Sequence, residues 1–217
     1  GLSTRSIGGL IMVHSDDDGL VLPPRVAPTE VRVIPIAQHK EGVLDRADAL
    51  LAELKAAGYR VNIDDSEKSP GWKFSEQEIL GIPTRIEIGP KDIENNQVVV
   101  VRRDTREKIV VSLDEVAVKL REVLEAMQQD MYDRAKEFLD SHIYEAVSLE
   151  EMVEKFKTDR GLIKACWCGD EACEDEVKAV TGGAATRCLI EDEEMISDKC
   201  IWCGKPAKHM AYWGKSY

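Results

Sequence analysis

The chain has 217 residues, 43% of them hydrophobic and 32% charged, and carries a formal net charge of −12. This is enough apolar chain for one good core and part of a second, which excludes a mostly disordered protein. The acidic balance excludes a basic, sequence-independent nucleic-acid coat, so any RNA contact must be a local basic patch, and no run of about 18 apolar residues offers a membrane span.

Residues 1–5, Gly-Leu-Ser-Thr-Arg, hold neither an initiator Met nor a signal-peptide core, and read as the middle of a longer chain. Residues 7–13 form an apolar run with two glycines, whose period fits either a buried strand or a tightly packed helix. His14 then leads a turn-rich loop containing Asp16, Asp17 and Asp18; beside three aspartates it reads as an ion-paired structural residue rather than a catalyst. Pro23, Pro24 and Pro28 impose an extended connector, and a domain boundary is expected there.

Strands and helices then alternate. Residues 31–37 read as a buried strand. Residues 41–57 read as a helix with an apolar stripe of Val43, Leu44, Ala47, Leu50, Leu51 and Leu54, closed by Gly58. A second strand covers 59–63. Ser69-Pro70-Gly71 opens a helix to about Leu80, ended by Gly81 and Pro83. Strands follow at 84–88, 97–103 and 108–111, the last two as an antiparallel hairpin, and Asp114 caps another helix. Helices between strands imply parallel pairs, so the expected body is a mixed five-stranded sheet with flanking helices. From 114 to about 157 the pattern reads as helix, with Met127, Met131, Ala135 and Leu139 recurring every four residues. That is long for one globular helix and reads as a connector between modules. Residues 158–217 form a last α+β module whose modest core a metal would supplement.

All six cysteines lie in the last quarter: Cys166, Cys168, Cys173, Cys188, Cys200 and Cys203. Their clustering in one module of a charged chain points to metal rather than to a secreted disulfide framework. Cys168-x4-Cys173 followed by Cys200-x2-Cys203-Gly204 offers four thiolates, the tetrahedral set that structural zinc favours. Gly204 supplies the tight turn after the second pair. Spacing leaves Cys166 as a competitor for Cys168, and Cys188 reads as a small buried hydrophobe. No water-activating position is apparent, so the metal reads as structural.

Residues 1–28 resemble the last motif of the class II catalytic domain of prolyl-tRNA synthetases and its exit through Leu22-Pro23-Pro24-Arg25-Val26-Ala27-Pro28. Gly71-Trp72-Lys73-Phe74, Gly81-Ile82-Pro83, Gly89-Pro90-Lys91-Asp92 and Val101-Arg102-Arg103-Asp104 resemble the anticodon-binding domain of the same family. The four cysteines and terminal Tyr217 resemble the zinc domain of its archaeal- and eukaryotic-type members. The resemblance is colinear over the whole chain. It implies the end of a catalytic domain at 1–26, an anticodon-binding α/β domain at 27–128, a helical linker at 129–157 and a zinc-binding domain at 158–217.

The family's activity is ATP-dependent attachment of proline to its tRNA, with ATP and Mg used by the full-length enzyme, which is expected to be a cytoplasmic homodimer. By the same resemblance, Arg5 and Ser3 match nucleotide-site positions, while Glu78, Arg85, Lys91 and Lys108 match contacts to anticodon bases and backbone. A carboxylate can accept from the N–H groups of guanine, lysine can donate to its O6 or N7, and arginine can hold phosphate. Arg106 competes with Lys108 across a turn of variable length, and Arg103 reads as paired with Asp104 or a helix acid. Tyr217 reads equally as an interdomain packing element or a frayed end. The expected partner is proline-specific tRNA, with no DNA and no membrane. The segment alone lacks the rest of a catalytic domain and is expected not to aminoacylate. The alternative is a non-enzymatic zinc-stabilised adaptor for RNA or protein.

Overall fold

The apolar run near the start becomes a helix, α1 (Arg5–Val13), with none of its residues buried. His14 ends it, its backbone N–H donating to the Leu10 carbonyl at 2.8 Å. The chain then turns through a two-stranded ribbon, β1 (Ser15–Asp16) and β2 (Gly19–Leu20). Here the pairing expected of His14 goes elsewhere. Asp16 binds Arg103 and Asp18 binds Arg106. Guanidinium groups offer paired donors that an imidazole lacks.

The computed structural model describes residues 3–158 and 161–215, in two compact units, Gly1–Tyr132 and Asp133–Tyr217. Tyr217 lies outside the described residues. In the first unit the elements run β3 (Val31–Pro35), α2 (Val43–Ala56), β4 (Val61–Ile63), α3 (Pro70–Ile79), β5 (Thr84–Ile88), α4 (Pro90–Glu94), β6 (Gln97–Arg102) and β7 (Lys108–Ser112). The strands form one five-stranded sheet in the order β4-β3-β5-β6-β7. β3 is parallel to β4 and β5, and β5-β6-β7 is antiparallel. The crossover from β3 to β4 and the one from β4 back to β5 run in opposite directions across the sheet, so right-handed connection puts α2 and α3 on opposite faces.

The side-chain alternation of β5 follows that division. Ile86 and Ile88 join the core with Leu50 and Leu54 of α2. Arg85 and Glu87 face the other way, toward Gln77 and Glu78 of α3. Ser69 caps α3, its Oγ accepting from the Trp72 N–H at 3.4 Å, with Pro70 in the first turn. The front segment is tied in rather than set apart at the prolines. A Cβ on Gly81, which has φ +66, would stand 2.4 Å from the Leu20 side chain, and residues 3–26 cluster with the first unit.

The long helical reading needs correction. α5 spans Val116–Ser141, and its buried residues end at Met131. After it the chain forms a strand, β8 (Ile143–Glu145), and a separate helix, α6 (Leu149–Thr158). β8 pairs in parallel with β9 (Leu162–Trp167), completing a second sheet in the order β10-β11-β9-β8. The other members are α7 (Glu171–Thr181), β10 (Ala184–Ile190) and β11 (His209–Lys215). Met152, Ile163, Val177, Ile201 and Trp213 form the core of this unit. Part of what reads as a linker is therefore sheet and core of the second unit.

Candidate functional site

The strongest constellation is in the second unit. The ligand atoms of Cys168, Cys173, Cys200 and Cys203 all lie within 4.8 Å of one another. Cys168 Sγ stands 3.6 Å from Cys173 Sγ and 3.9 Å from Cys203 Sγ. A tetrahedral zinc with Zn–S bonds of about 2.3 Å puts its sulfurs roughly 3.8 Å apart, so the donor set fits such an ion. The elements explain the convergence. Cys168 follows the end of β9, and Asp170 caps α7 by accepting from the Ala172 N–H, which brings Cys173 round in the first turn. On the other side Gly204, at φ +68, lets its N–H reach the Cys200 carbonyl at 3.1 Å. Burial pushes the Cys200 thiol up, but the backbone N–H groups of Cys203, Trp202 and Cys168 outweigh it and bring it down to about 7. Burial raises Cys168 and Cys173. The Cys200 thiolate is thus favoured before any cation arrives, and Cys168 and Cys173 need the positive charge of an ion.

Geometry also separates the competitors. Cys166 sits inside β9, opposite Met210 of β11 and 1% exposed, so the sheet holds it away from the cluster. Cys188 is on β10 and exposed, against the expectation of a buried residue. It lies next to the register shift between Thr186 and Cys188, which alters the alternation of that strand.

In the first unit, three of the four expected reader residues converge on β5. The Arg85 Nε donates to Glu87 Oε1 at 2.9 Å, and its Nη1 donates to Gln77 Oε1 at 3.1 Å and Glu78 Oε1 at 3.3 Å. Its guanidinium lies 4.2 Å from the centre of the Phe74 ring. Lys108 reaches the other oxygen of Glu87 at 3.5 Å. Arg85 is 9% exposed, Glu78 22% and Lys108 58%, so the network runs from a buried cation to an accessible one. Lys91 is exposed in α4, one loop beyond β5, and no described contact joins it to this group. Arg106 binds Asp18 of the front segment rather than standing in for Lys108.

Arg103 is 1% exposed at its side chain. It takes neither Asp104 nor a helix carboxylate. Nη1 and Nη2 donate to the two oxygens of Asp16 at 2.8 and 2.6 Å, and Nε donates to the Glu78 carbonyl at 3.2 Å. Arg102 binds Asp104 and Asp130 instead. Ser3 and Arg5 are exposed at the start of α1, where the Ser3 carbonyl accepts from the Ser6 N–H and hydroxyl.

Residues 30–123 match the family described as Anticodon binding domain. Residues 149–217 match the one described as Prolyl-tRNA synthetase, C-terminal. The chain is 58% identical over 217 residues to a protein named Proline–tRNA ligase from Lachnoclostridium phytofermentans, covering all of this chain and 45% of that protein. It is 60% identical over 218 residues to a protein of the same name from Agathobacter rectalis, with the same coverage. The chain belongs to the prolyl-tRNA synthetase family. It also superposes with a TM-score of 0.90 and 36% identity on the prolyl-tRNA synthetase of Cryptosporidium parvum, crystallised with L-proline and AMP, covering all of this chain and 47% of that one. The chain therefore spans less than half the length of these prolyl-tRNA synthetases.

The two matched regions, 30–123 and 149–217, fall one in each unit. Sequence reading missed Glu87 and Gln77, which hold Arg85 in place. The signal for Glu87 was available, since Arg85-Ile86-Glu87 on a strand puts both charges on one face. Gln77 carried no signal, because its partner is Arg85 across the packing of α3 on β5. Among the described residues no helix is long and apolar enough to cross a membrane.

Proposed function

We propose that this chain is the tRNA-reading and metal-stabilised part of a proline–tRNA ligase, which joins proline to its tRNA at the expense of ATP. The observation that carries the reading is the network around Arg85, in which the half-buried Glu78 carboxylate is held by buried Arg85 and the exposed Lys108 ammonium by half-buried Glu87. Glu78 uses one oxygen on Arg85 and keeps the other for a ligand. That oxygen can accept from the Watson–Crick edge of an unstacked guanine, while Lys108 donates to O6 or N7. Arg85 is committed to three acceptors, so its first task is to orient Glu78. Its Nη2 has no acceptor among the described contacts and can donate to base or phosphate. Lys91, one loop away, is suited to a flanking base or phosphate.

The four cysteines suit zinc in a structural role: they complete a tetrahedron and leave no position for water. Ser3 and Arg5, with the exposed apolar side chains Ile7, Ile11, Met12 and Val13 of α1, fit the closing edge of a catalytic domain where ATP and Mg bind. Such an enzyme works in the cytoplasm as a homodimer, and the 217 residues alone would bind tRNA weakly without aminoacylating it. The test is titration of the chain with an anticodon stem-loop at stated salt, beside the same stem-loop with its anticodon scrambled. Tighter binding of the native loop, lost in Glu78→Gln, is the expected result. Equal affinity for both loops would remove the base-reading role.

A further inference from the structure

A cavity of about 650 Å³ lies apart from both groups of side chains described above, within the range of roughly 300–1,000 Å³ usual for ligand pockets. Its wall comes from the loops that follow β3 and β4, with Leu44 of α2 and Lys73 of α3. The chain passes from β3 to β4 and then back across the sheet to β5, so the connections after β3 and β4 leave on opposite faces, and open α/β sheets take ligands outside the carboxyl ends of their strands at such a switch. Ala37, in the wall, has φ +53. A side chain in the left-handed region is strained, and such strain concentrates where loops are shaped for binding.

Lys73 is the buried charge of the wall, 2% exposed. Its Nζ donates to Gln38 Oε1 at 2.9 Å and to the Asp64 carbonyl at 2.8 Å. The Asp64 carboxylate stands at 4.0 Å, too far to engage the third N–H. The other oxygen of that carboxylate is buried without a hydrogen-bond partner. An ammonium held by two neutral acceptors and a distant counter-ion has capacity left for an anion. Lys68 and His39 add donors to the same wall, Glu67 adds one carboxylate, and Ile36, Leu44 and Pro70 add apolar surface. Cationic donors beside an apolar wall suit a phosphate attached to a flat ring.

The cavity is also linked to the network around Arg85. Lys73 and Gln77 are both buried on α3, four residues and about 6 Å of helix rise apart, and Gln77 accepts from Arg85. We propose that this cavity is a pocket for a single nucleoside phosphate, with its phosphate on Lys73 and Lys68 and its base against Ile36 and Leu44. The nucleotide is either a residue of the RNA loop held at Glu78 or a free mononucleotide. The first source rests on the proposed tRNA reading, and the second does not.

The test is amide NMR of the 217-residue chain titrated with nucleoside monophosphates, with the corresponding nucleosides as controls. Monophosphates should shift residues 36–39 and 67–73, and Lys73→Met should weaken binding at least tenfold. Leu44→Trp, which fills the cavity without touching the Lys73 contacts, should do the same and covers the chance that the first variant misfolds. No shifts in these segments up to about 10 mM monophosphate, or equal binding of nucleosides, would overturn the pocket. A stem-loop titration then assigns the source. Weaker stem-loop binding by Leu44→Trp identifies an RNA nucleotide, whereas unchanged binding beside a monophosphate response identifies a free one. If monophosphates bind and the stem-loop does not, the pocket stands and the tRNA reading falls.

Discussion

Removing either partner of the Asp16–Arg103 pair should destabilise the first unit unequally. The side chain of Arg103 is 1% exposed and that of Asp16 is 41% exposed. In Asp16→Ala the guanidinium stays buried and keeps only the Glu78 carbonyl at 3.2 Å. Stranding a buried charge costs about 3 kcal/mol or more. In Arg103→Met the aspartate rehydrates, methionine replaces much of the apolar stem, and the Glu78 carbonyl still accepts from the Gly81 N–H at 3.0 Å. That loss should be about 1.5 kcal/mol.

The pair also has a pH signature. Arg103 hydrogen-bonds the Asp16 carboxylate and, against some burial, holds it down at about 2, helped by the N–H groups of Asp18 and Gly19. A depressed carboxyl contributes stability above its unfolded pKa of about 3.9, and that contribution is lost as pH falls from about 4 toward 2. The full shift corresponds to about 2.5 kcal/mol, which the exposure of Asp16 reduces to about 1. Urea unfolding of the wild type, both single variants and the double variant, at pH 7 and pH 3, measures all of this. Equal losses for the two single variants, or a larger loss for Arg103→Met, would refute the argument from burial.

Replacing Cys200 or Cys203 by Ser should melt the second unit first, since metal binding contributes on the order of 10 kcal/mol in small modules; an unchanged far-UV spectrum and proteolysis pattern after chelation would count against the metal centre. Gly19→Ala should cost about 2 kcal/mol or more, because φ is +142 and the new Cβ would stand 2.4 Å from the Ile79 Cα; an unchanged urea midpoint would contradict this. Lys91→Ala should weaken stem-loop binding by about 1–3 kcal/mol if the lysine reads a base. If instead the loss is the same for every anticodon and the salt dependence falls by about one unit, the lysine holds a phosphate.

Much of the architecture was legible because it rests on local patterns. The stripe of Val43, Leu44, Ala47, Leu50, Leu51 and Leu54 marked α2; Val43, Ala47, Leu50 and Leu54 are buried there, Leu51 is partly buried and Leu44 is exposed. The five strands of the first sheet follow the alternation and the Gly and Pro breaks around them. Short elements were not legible. β8 has three residues, too few to show a period, and exists because β9 offers it a parallel partner. The period of 7–13 fitted a buried strand or a tightly packed helix; the fold takes a helix, but one with no residue buried.

Residue types and their local order were enough for a mixed α/β body, a cysteine-bearing module, the cysteine types a metal needs, and the family they resemble. Tertiary structure decided which cysteines meet, since spacing admitted Cys166 and only the end of β9 frees Cys168. It also decided that Arg103 binds Asp16, 87 residues away, and that Gln77, Glu78 and Glu87 gather on Arg85. Local pattern reports which face a residue occupies. Which distant charges share that face depends on how strands and helices pack, and no period in the chain encodes that distance.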